Sequence, residues 1–590
     1  MKYWRNSLTM SIEYYFLKCS IFNSQYSIFI FIKNNLNRRN FIQLSGASLA
    51  SLLVSDFVKA ENKKKYILQM PDEIKILSGD EYFSLQTSDH HTWQYKDVII
   101  EVKNLDKSVF VFIQSPTLSV KEAKLSWKYS IPTNTKVLGD HWERTYGDAS
   151  WQQPSTSKKL PWYCIEQNKD NTTCFGVKTG CNAVCYWHLS DSNLDLTLDT
   201  RTGGNGVQLG SRKLNAAEIV TTKNENDENV FATVRRFCTL MCDKPKLPQQ
   251  PVYGINDWYF AYGNNSAELI LEHTALLASC VTNTSNKPFS VIDAGWAIKS
   301  PLLPDDCCWG DDFSRSNAKF GDMQKLSERI KNLGMRPGIW TRPLCARHTD
   351  KNNLLAPSIT NRNDSRMPIL DPTIEENIER IKNNIKTYNQ WGYELVKHDY
   401  TTYDIFGQWG FEMKDALTIP GWEFNDNTKT NAEVILNLYN AIREAAGNTY
   451  LIGCNTMSHL SAGIFELNRI GDDTSGKEWE RTRKMGVNTL GFRMMQHKTF
   501  YDADGDCVGL TKDVPWSKNK NWMQLLAQSS TPLFISAQPD AVGSEQRNFI
   551  KQSFAEAAVE QQVAEPLDWL TNKLPSKWRL NGKEVNFDWS

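Results

Sequence analysis

The sequence predicts a multidomain protein with an N-terminal β-sandwich, a central (β/α)8 TIM barrel and a short β-rich segment at the C-terminus. Three observations lead to this fold class. The chain has 590 residues, which is more than one domain usually holds. Its N-terminal part contains short β-rich runs separated by turn residues, and its centre alternates apolar strands with amphipathic helices.

Residues 1–60 read as an export signal preceded by an unusual leader. Arg38 and Arg39 stand ahead of a modest apolar run at 44–54, and Val58-Lys59-Ala60 forms a small-x-small ending. This order is typical of a twin-arginine signal with cleavage after Ala60. A membrane anchor is the alternative, but the run is shorter than the roughly 20 residues a span needs. We therefore expect a periplasmic or secreted protein, with no stable membrane span in the mature chain. Residues 1–36 leave the true start codon open.

Residues 64–248 are predicted to form the β-sandwich. The runs "DVIIEV", "SVFVFIQ" and "NVFATVRRF" are rich in β-branched and aromatic residues and are separated by Asn, Asp and Gly. Strands at this spacing, without helical stretches between them, favour a sandwich. The segment "KPKLPQQP", which ends at Pro251, reads as a linker.

Residues 249–545 are predicted to form the barrel. Candidate strands occupy 255–263, 289–296, 336–343, 393–400, 449–456, 467–473, 498–505 and 531–537, and helical patterns lie between most of them. Repeated β/α units of this kind fit a TIM barrel. A doubly wound sheet is the alternative, although no glycine-rich phosphate loop follows any strand. Residues 546–590 are expected to form the β-rich segment.

Charge and cysteine patterns narrow the possible partners. The 67 basic and 67 acidic residues are not sorted into blocks, so nothing indicates a nucleic-acid partner. Of the 13 cysteines, only Cys19 precedes the expected cleavage point, and an oxidising compartment would permit disulfides among the others. Their spacing does not resemble a zinc site, so we expect no bound metal.

Chemistry-bearing side chains collect where the predicted barrel strands end. The active site of such a barrel lies at this edge. The candidates are Trp258, Asp293, Trp296, Trp340, Lys397, Asp399, Asn455, Arg469, Asp473 and Asp506. A single Asp at a strand end is more often a helix cap, but carboxylates on different strands beside aromatic and basic residues are what glycoside hydrolysis requires.

Over about residues 250–545 the sequence resembles the α-galactosidase clan, glycoside hydrolase families 27 and 36 (melibiase-like). "VIDAGW" is similar to the clan's V-D-D-G-W motif, "VKHDY" to its K-x-D motif and "NRIGDDTS" to R-I-x-P-D. The stretch "WGDDF…KFGDMQKLSERIKNLGMRPGIW", together with "DGDCVGL" and "SSTPLFIS", resembles further clan motifs in the same order.

The resemblance implies a retaining, exo-acting hydrolase that releases terminal α-galactose, or a sugar of related configuration, from an oligosaccharide or polysaccharide. Asp399 would be the nucleophile and Asp473 the acid/base. Lys397, Arg469 and Asp293 would bind sugar hydroxyls. Asp506 would shape a pocket lined by Trp258 and Trp296. The clan's sandwich before the barrel agrees with residues 64–248, and no metal or cofactor is implied.

Three features depart from the clan pattern. Ala294 replaces the second Asp of D-D-G-W, which helps to hold the C4 and C6 hydroxyls of galactose, so the sugar itself stays open. Asp472 replaces the proline of R-I-x-P-D and competes with Asp473 for the acid role. The C-terminal region is shorter than the usual sandwich. A non-catalytic carbohydrate-binding relative and a transglycosylase of the same fold are the alternatives.

Overall fold

A computed structural model describes residues 68–590 except 106–107, 226, 283–284, 300–309, 347–350, 361–366 and 415. The predicted export signal lies outside the described residues. Leu68–Ser590 form one compact unit. Within the described part of the chain, no helix is both long enough and apolar enough to cross a membrane.

Two antiparallel sheets form the N-terminal region. The first has six strands in the order Glu81–Ser84, Glu73–Ser78, Glu122–Lys128, Asn193–Asp199, Val184–Leu189 and Ser155–Pro161. The second has eight, in the order Gln86–Thr87, Thr92–Tyr95, Val98–Leu105, Ser108–Ser115, Gly210–Lys223, Asn171–Val177, Tyr163–Asn168 and Lys136–Gly139. Arg201–Thr202 and Asn205–Gly206 form a small hairpin. Phe175 of the second sheet lies 6.1 Å, between ring centroids, from Trp187 of the first, so aromatic packing joins the sheets.

The run "NVFATVRRF" is a helix, and the prediction that it forms a strand is wrong. Helix Val230–Met241 buries Phe231, Val234 and Phe237, which recur with helical rather than alternating spacing. The Asn229 side chain accepts a hydrogen bond from the backbone of Ala232 and caps the first turn. This cap and the helical spacing outweigh the β propensity of the individual residues.

The central region is a TIM-like parallel sheet. Its segments pair in the order Asp502–Asp504, Leu467–Arg469, Tyr450–Gly453, Leu395–His398, Arg336–Thr341, Phe289–Ile292, Tyr253–Asn256, Leu533–Ala537 and Cys507–Leu510. Only Gly505 and Asp506 separate the first and last segments of this order, so the two ends of the sheet lie side by side. We count these two segments as one interrupted strand, strand seven. Numbered along the chain, Leu395–His398 is strand four and Leu467–Arg469 is strand six.

Helices alternate with these strands, as the sequence predicts. The longer ones are Ala267–Ala278, Met323–Asn332, Glu375–Gln390, Asn431–Ala446, Trp516–Gln528 and Ser544–Ala557. The shorter ones are Trp258–Ala261, Pro357–Thr360, Thr401–Phe406, Ser458–Ser461, Trp479–Thr482 and Thr489–Arg493, with a π-helix at Arg483–Asn488. Three 3₁₀ turns cover Lys351–Asn353, Met494–Gln496 and Pro539–Ala541. Thr430 and Glu433 form a reciprocal capping box that begins helix Asn431–Ala446.

The barrel strands differ from the predicted ranges mainly at their ends. The first predicted strand is cut short because Trp258–Ala261 turns into a helix. The predicted strand at 498–505 begins only at Asp502, and strand seven is interrupted where Asp506 adopts a left-handed backbone with φ of 74°. A further small sheet pairs Ala297–Ile298 with Asp312–Ser316.

The C-terminal segment is only partly β-rich. Helix Ser544–Ala557 extends beyond the predicted boundary at 545, because Ile550, Ser553, Phe554 and Ala557 form a buried face at helical spacing. An antiparallel sheet of Glu565–Pro566, Lys577–Leu580 and Lys583–Asn586 follows.

All ten cysteines among the described residues are buried. Burial raises the pKa of the Cys164 thiol above its ordinary value. A buried thiol of this kind is unreactive because little thiolate forms.

Candidate active site

Asp399 lies directly after strand four, and its carboxylate is held by three donors. The indole N–H of Trp340 donates to Oδ2 over 3.0 Å. The backbone N–H groups of Tyr400 and Asn455 donate to Oδ1 over 2.7 and 3.1 Å. Tyr400 adopts a left-handed φ of 66°, which is uncommon for a bulky residue and marks a tightly determined turn. The carboxylate is therefore fixed in one orientation at the mouth of the sheet.

Asp473 follows strand six and stays partly open to solvent. Its side chain is 38% exposed, and Oδ1 lies 3.2 Å from Arg469 Nη2 and 3.6 Å from Arg144 Nη1. Burial alone would raise the pKa of Asp473, but the guanidinium groups of Arg469 and Arg144 outweigh it and lower that pKa. The Asp473 carboxylate is therefore accessible to a ligand, and the two neighbouring guanidinium groups lower its pKa.

Asp472 is occupied by two arginines. Arg144 Nη2 lies 2.7 Å from Oδ1, and Arg481 Nη2 lies 2.7 Å from Oδ2. Only 14% of the Asp472 side chain is exposed. Both oxygens are thus engaged in ion pairs, which leaves Asp473 as the more available carboxylate of the two.

A segment of the N-terminal region reaches into this site. The backbone N–H of Thr145 donates to the carbonyl of Ile470 over 2.9 Å, and that of Asp472 donates to the carbonyl of Thr145 over 2.9 Å. The buried Glu143 carboxylate accepts hydrogen bonds from the Asn455 side chain and from the backbone of Gly410. This segment lies in the long connection between strands Lys136–Gly139 and Ser155–Pro161, and it places Arg144 beside Asp473.

Sequence reasoning about the barrel alone missed Glu143 and Arg144. The only available signal is "HWERTYGD", a run of charged and aromatic residues at 141–148 that is unusual for a sandwich loop.

Lys397 and Asp293 form a buried ion pair, with 2.7 Å between Nζ and Oδ2. Burial alone would lower the pKa of Lys397, but Asp293 outweighs it and raises that pKa well above its ordinary value. Asn256 also donates to Asp293 Oδ2 over 2.7 Å, and the backbone of Ala294 donates to Oδ1 over 2.8 Å. The strand-two and strand-four candidates are therefore brought together.

Arg469 connects Asp473 to Asp506. Its Nη2 lies 2.8 Å from Asp506 Oδ2, and its side chain is 1% exposed. The Tyr259 hydroxyl and the backbone and side chain of Thr474 also donate to Asp506 Oδ2. Asp506 thus anchors Arg469 beneath Asp473 from within the break in strand seven.

The aromatic candidates separate into two groups. Trp296 is fully buried, and its indole N–H donates to the Trp340 carbonyl over 2.8 Å. Trp340 is 2% exposed and meets the site through its contact with Asp399. Trp258 is partly buried and packs 5.7 Å from Tyr262, measured between ring centroids. The structure therefore places Trp296 behind the site rather than on its surface.

Asn455 is also fully buried. Its side-chain amide donates to Glu143, and its side-chain oxygen accepts from the backbone of Tyr403 over 2.9 Å. Asn455 contacts the site through its backbone N–H, which donates a hydrogen bond to the Asp399 carboxylate. Among the described residues, no group of His, Cys, Asp and Glu is arranged to hold a metal ion.

No protein-family model matches the sequence. Solved structures do resemble it. TtGalA, the α-galactosidase of Thermus thermophilus in complex with p-nitrophenyl α-D-galactopyranoside, superposes with a TM-score of 0.56 and 16% identity. The match covers 87% of this chain and 99% of that one.

Two further structures give a similar result. A GH31 family sulfoquinovosidase from E. rectale matches with a TM-score of 0.54 and 12% identity, over 88% of this chain and 87% of that one. A variant of the GH36 α-galactosidase AgaA from Geobacillus stearothermophilus, in complex with 1-deoxygalactonojirimycin, matches with a TM-score of 0.54 and 11% identity, over 82% and 70%. The chain has the fold of these glycoside hydrolases. At this identity the likeness concerns the fold alone.

Proposed function

We propose that this protein is a retaining, exo-acting glycoside hydrolase with a (β/α)8 catalytic barrel. The observation that carries the proposal is the pair Asp399 and Asp473. One carboxylate is fixed by three donors and the other is partly exposed beside two guanidinium groups. They follow different strands at one edge of the sheet, where barrel enzymes keep their catalytic groups.

The reaction would proceed by double displacement. Asp399 attacks the anomeric carbon and forms a glycosyl ester, while Asp473 gives its proton to the leaving oxygen as the glycosidic bond breaks. Asp473 then takes a proton from water, and the water oxygen attacks the anomeric carbon and releases Asp399. Two inversions leave the anomeric configuration unchanged.

The buried charged groups would position the sugar. The ion pair of Lys397 and Asp293 presents a donor and acceptors of the kind that bind neighbouring hydroxyls. Arg469 is held by Asp506, so its guanidinium keeps one place under Asp473. These contacts would supply orientation, because groups fixed before binding lose little freedom when substrate arrives.

We infer that the released sugar is α-galactose or a residue of galacto configuration. Two supports are the sequence motifs around Asp293, Asp399 and Asp473 and the galactose-related ligands of the similar structures, such as p-nitrophenyl α-D-galactopyranoside and stachyose. Oligosaccharides or polysaccharides with such an end would be the substrates.

The stereochemistry of hydrolysis tests this proposal. Proton NMR of p-nitrophenyl α-galactoside hydrolysis should show α-galactose first, before mutarotation. Asp399→Ala should abolish turnover, and azide should then yield the β-glycosyl azide because the small anion fits the space of the lost carboxylate. Near-normal activity of Asp399→Ala would refute the assignment of Asp399 as nucleophile. If the wild type does not cleave the galactoside, and Asp399→Ala still binds it, a non-catalytic carbohydrate-binding protein would be favoured.

We propose further that the protein acts in the periplasm or outside the cell. The support is the sequence order of Arg38-Arg39, the apolar run and Ala60. N-terminal sequencing of protein from the periplasmic fraction should begin at Glu61. The twin-arginine route predicts that the Arg38→Lys/Arg39→Lys variant stays in the cytoplasm as full-length precursor, whereas the Lys63→Gln variant is exported. Equal export of both variants would refute it.

A further inference from the structure

A cavity lies beside the candidate active site. It has a volume of about 350 Å³, opens to solvent, and is lined by the N-terminal sheets, the segment 141–148 and the loop 410–414. Neither Asp399 nor Asp473 is among its lining residues. A cavity of this size falls in the range of small-molecule sites.

The walls of this cavity are fixed to each other. The Trp142 indole N–H donates to the Met413 carbonyl over 3.0 Å, and the Gly410 backbone donates to Glu143 Oε1 over 2.8 Å. Both contacts join the segment 141–148 to the loop 410–414. The cavity is therefore a built feature of the junction between the two regions.

Three lysines bring positive charge to the lining of this cavity. They are Lys158, Lys159 and Lys414. Lys158 and Lys414 are exposed and form no ion pair with any described residue, and Lys159 lies 4.5 Å over the ring of Tyr186. The Lys159 ammonium is held on Tyr186, and adjacent residues of a strand face opposite sides, so Lys158 and Lys414 are the two lysines that can meet a ligand in this cavity.

Each carboxylate of the lining is held by a neighbouring side chain. Asp140 is buried and pairs with Arg493 over 2.6 Å, and Asp148 lies 3.0 Å from His141 Nε2. His141 lowers the pKa of Asp148 by hydrogen bonding and by charge, although burial opposes it. Asp148 is the lining carboxylate that stays open to solvent, and Lys158 and Lys414 outnumber it, so the cavity favours an anionic ligand over a cation.

The cavity and the candidate active site share one segment of chain. Arg144 contacts Asp473, whereas His141, three residues earlier, lines the cavity. Three residues span at most about 11 Å, a distance that a short oligosaccharide can cover. At the rim, Phe411 is 49% exposed and offers an apolar face on which a sugar ring can pack.

We propose that this cavity binds an acidic sugar residue of the saccharide whose terminal residue enters the active site, with Lys158 and Lys414 holding its anionic group. The identity of the saccharide rests on the proposed function, whereas the charge preference of the cavity does not. Carboxylate and sulfate share this chemistry, and separate ligands distinguish them.

Calorimetric titration of the full chain tests the proposal with three ligands. They are trigalacturonate, its fully methyl-esterified form and galactose 6-sulfate. The wild type should bind at least one of the two anions, and binding should weaken as salt rises. The neutral ester should bind at least roughly fivefold more weakly than trigalacturonate.

Lys158→Gln/Lys414→Gln should weaken anion binding by roughly fivefold or more, because two charged contacts are lost. Lys325→Gln/Lys386→Gln is the matched control, since it removes two lysines on barrel helices away from the cavity. Three results would each overturn the proposal. They are an equal loss of anion binding in both double variants, equal binding of trigalacturonate and its methyl ester, and no binding of either anion by the wild type.

Hydrolysis of p-nitrophenyl α-galactoside separates this inference from the proposed function. The lysines do not touch Asp399 or Asp473, so kcat/KM for this small substrate should be unchanged in Lys158→Gln/Lys414→Gln. A wild type that binds the anion but does not hydrolyse the galactoside would refute the proposed function and support the cavity as an anion site.

Discussion

Arg144 and Asp472 form an ion pair, with 2.7 Å between Nη2 and Oδ1, that joins the N-terminal region to the end of strand six. Arg481 Nη2 lies 2.7 Å from Oδ2, the other carboxylate oxygen of Asp472. This double pairing distinguishes two adjacent aspartates that the sequence presents as equivalent. It also makes the N-terminal region part of the candidate active site.

The pairing predicts that Asp473, not Asp472, is the general acid. Asp473→Asn should lower kcat/KM by about 10²–10⁴ for substrates with poor leaving groups, and much less for 2,4-dinitrophenyl galactoside, which needs little protonation. Asp472→Asn should instead lower the melting temperature, because Arg144 and Arg481 lose their partner. Leaving-group selectivity in Asp472→Asn, and none in Asp473→Asn, would reverse the roles.

Removing Arg144 should change the pH dependence of the reaction. The guanidinium groups of Arg469 and Arg144 hold the pKa of Asp473 down, against the effect of burial. In Arg144→Met that pKa should rise, so the protonated acid should persist to higher pH. The alkaline limb of the kcat/KM profile is therefore expected to move upward.

Arg483→Met is the control for this profile, because Arg483 pairs with Glu480 outside the site. It should leave the limb in place. An unshifted limb in Arg144→Met, with fold and melting temperature retained, would show that Arg144 does not act on the acid.

Ala294→Asp should sharpen the preference for galactose. Ala294 stands where the clan has a second carboxylate. Asp312, which pairs with Ile298 in the small sheet, is already engaged by Arg315 over 2.8 Å. A charged hydrogen bond to the C6 hydroxyl is worth about 1.5–3 kcal/mol. The ratio of kcat/KM for p-nitrophenyl α-galactoside over p-nitrophenyl β-L-arabinopyranoside, which lacks C6, should therefore rise roughly tenfold or more.

Ala294 is 3% exposed, so circular dichroism must first show that the larger side chain is accommodated. Ala294→Asn serves as the control of similar size without the charge. A wild type that already prefers galactose strongly, and a ratio unchanged by Ala294→Asp, would mean that another group supplies the acceptor.

Asp502 should make stability depend on pH. Burial raises its pKa to about 7, and its Oδ1 has no hydrogen-bond partner among the described residues. Between pH 4 and 7 the folded state keeps a proton that the unfolded state releases, so stability falls as pH rises, by at most about 1.4 kcal/mol per pH unit. Asp502→Asn cannot ionise and should lack this loss.

Urea unfolding at pH 5 and pH 8 measures this effect. The stability of Asp502→Asn relative to the wild type should be greater at pH 8 than at pH 5. The same difference at both pH values would show that Asp502 does not titrate in this range in the folded protein.

Local pattern was enough to predict the order of the barrel strands and many of the polar side chains that lie at their ends. Strand four illustrates the reason. Alternation along a strand sends Lys397 and Asp399 to one side and His398 to the other, where it packs against Tyr439 and Phe465. Apolar strands and polar strand ends are properties of neighbouring residues, so they can be recognised without the fold.

The same reasoning failed where two periodicities compete or where a strand breaks. "NVFATVRRF" has β-prone residues but helical spacing, and strand seven is interrupted at Asp506. Trp296 stands at a strand end like Trp258, yet Phe313, Tyr388 and Trp391 enclose it. Exposure of a tryptophan depends on what packs against it, which no local motif states.

The sequence by itself determined the TIM-like sheet, its strand order and the positions of the candidate carboxylates Asp399 and Asp473 at strand ends, because these depend on spacing within short segments. Only the tertiary structure decided that Arg144 reaches Asp472 and Asp473, that Glu143 holds Asn455, and that Trp296 lies behind the site. Each of these contacts joins residues far apart in the chain. Their distance is set by how the N-terminal sheets pack on the barrel, and that packing is a property of the whole fold rather than of any single stretch of sequence.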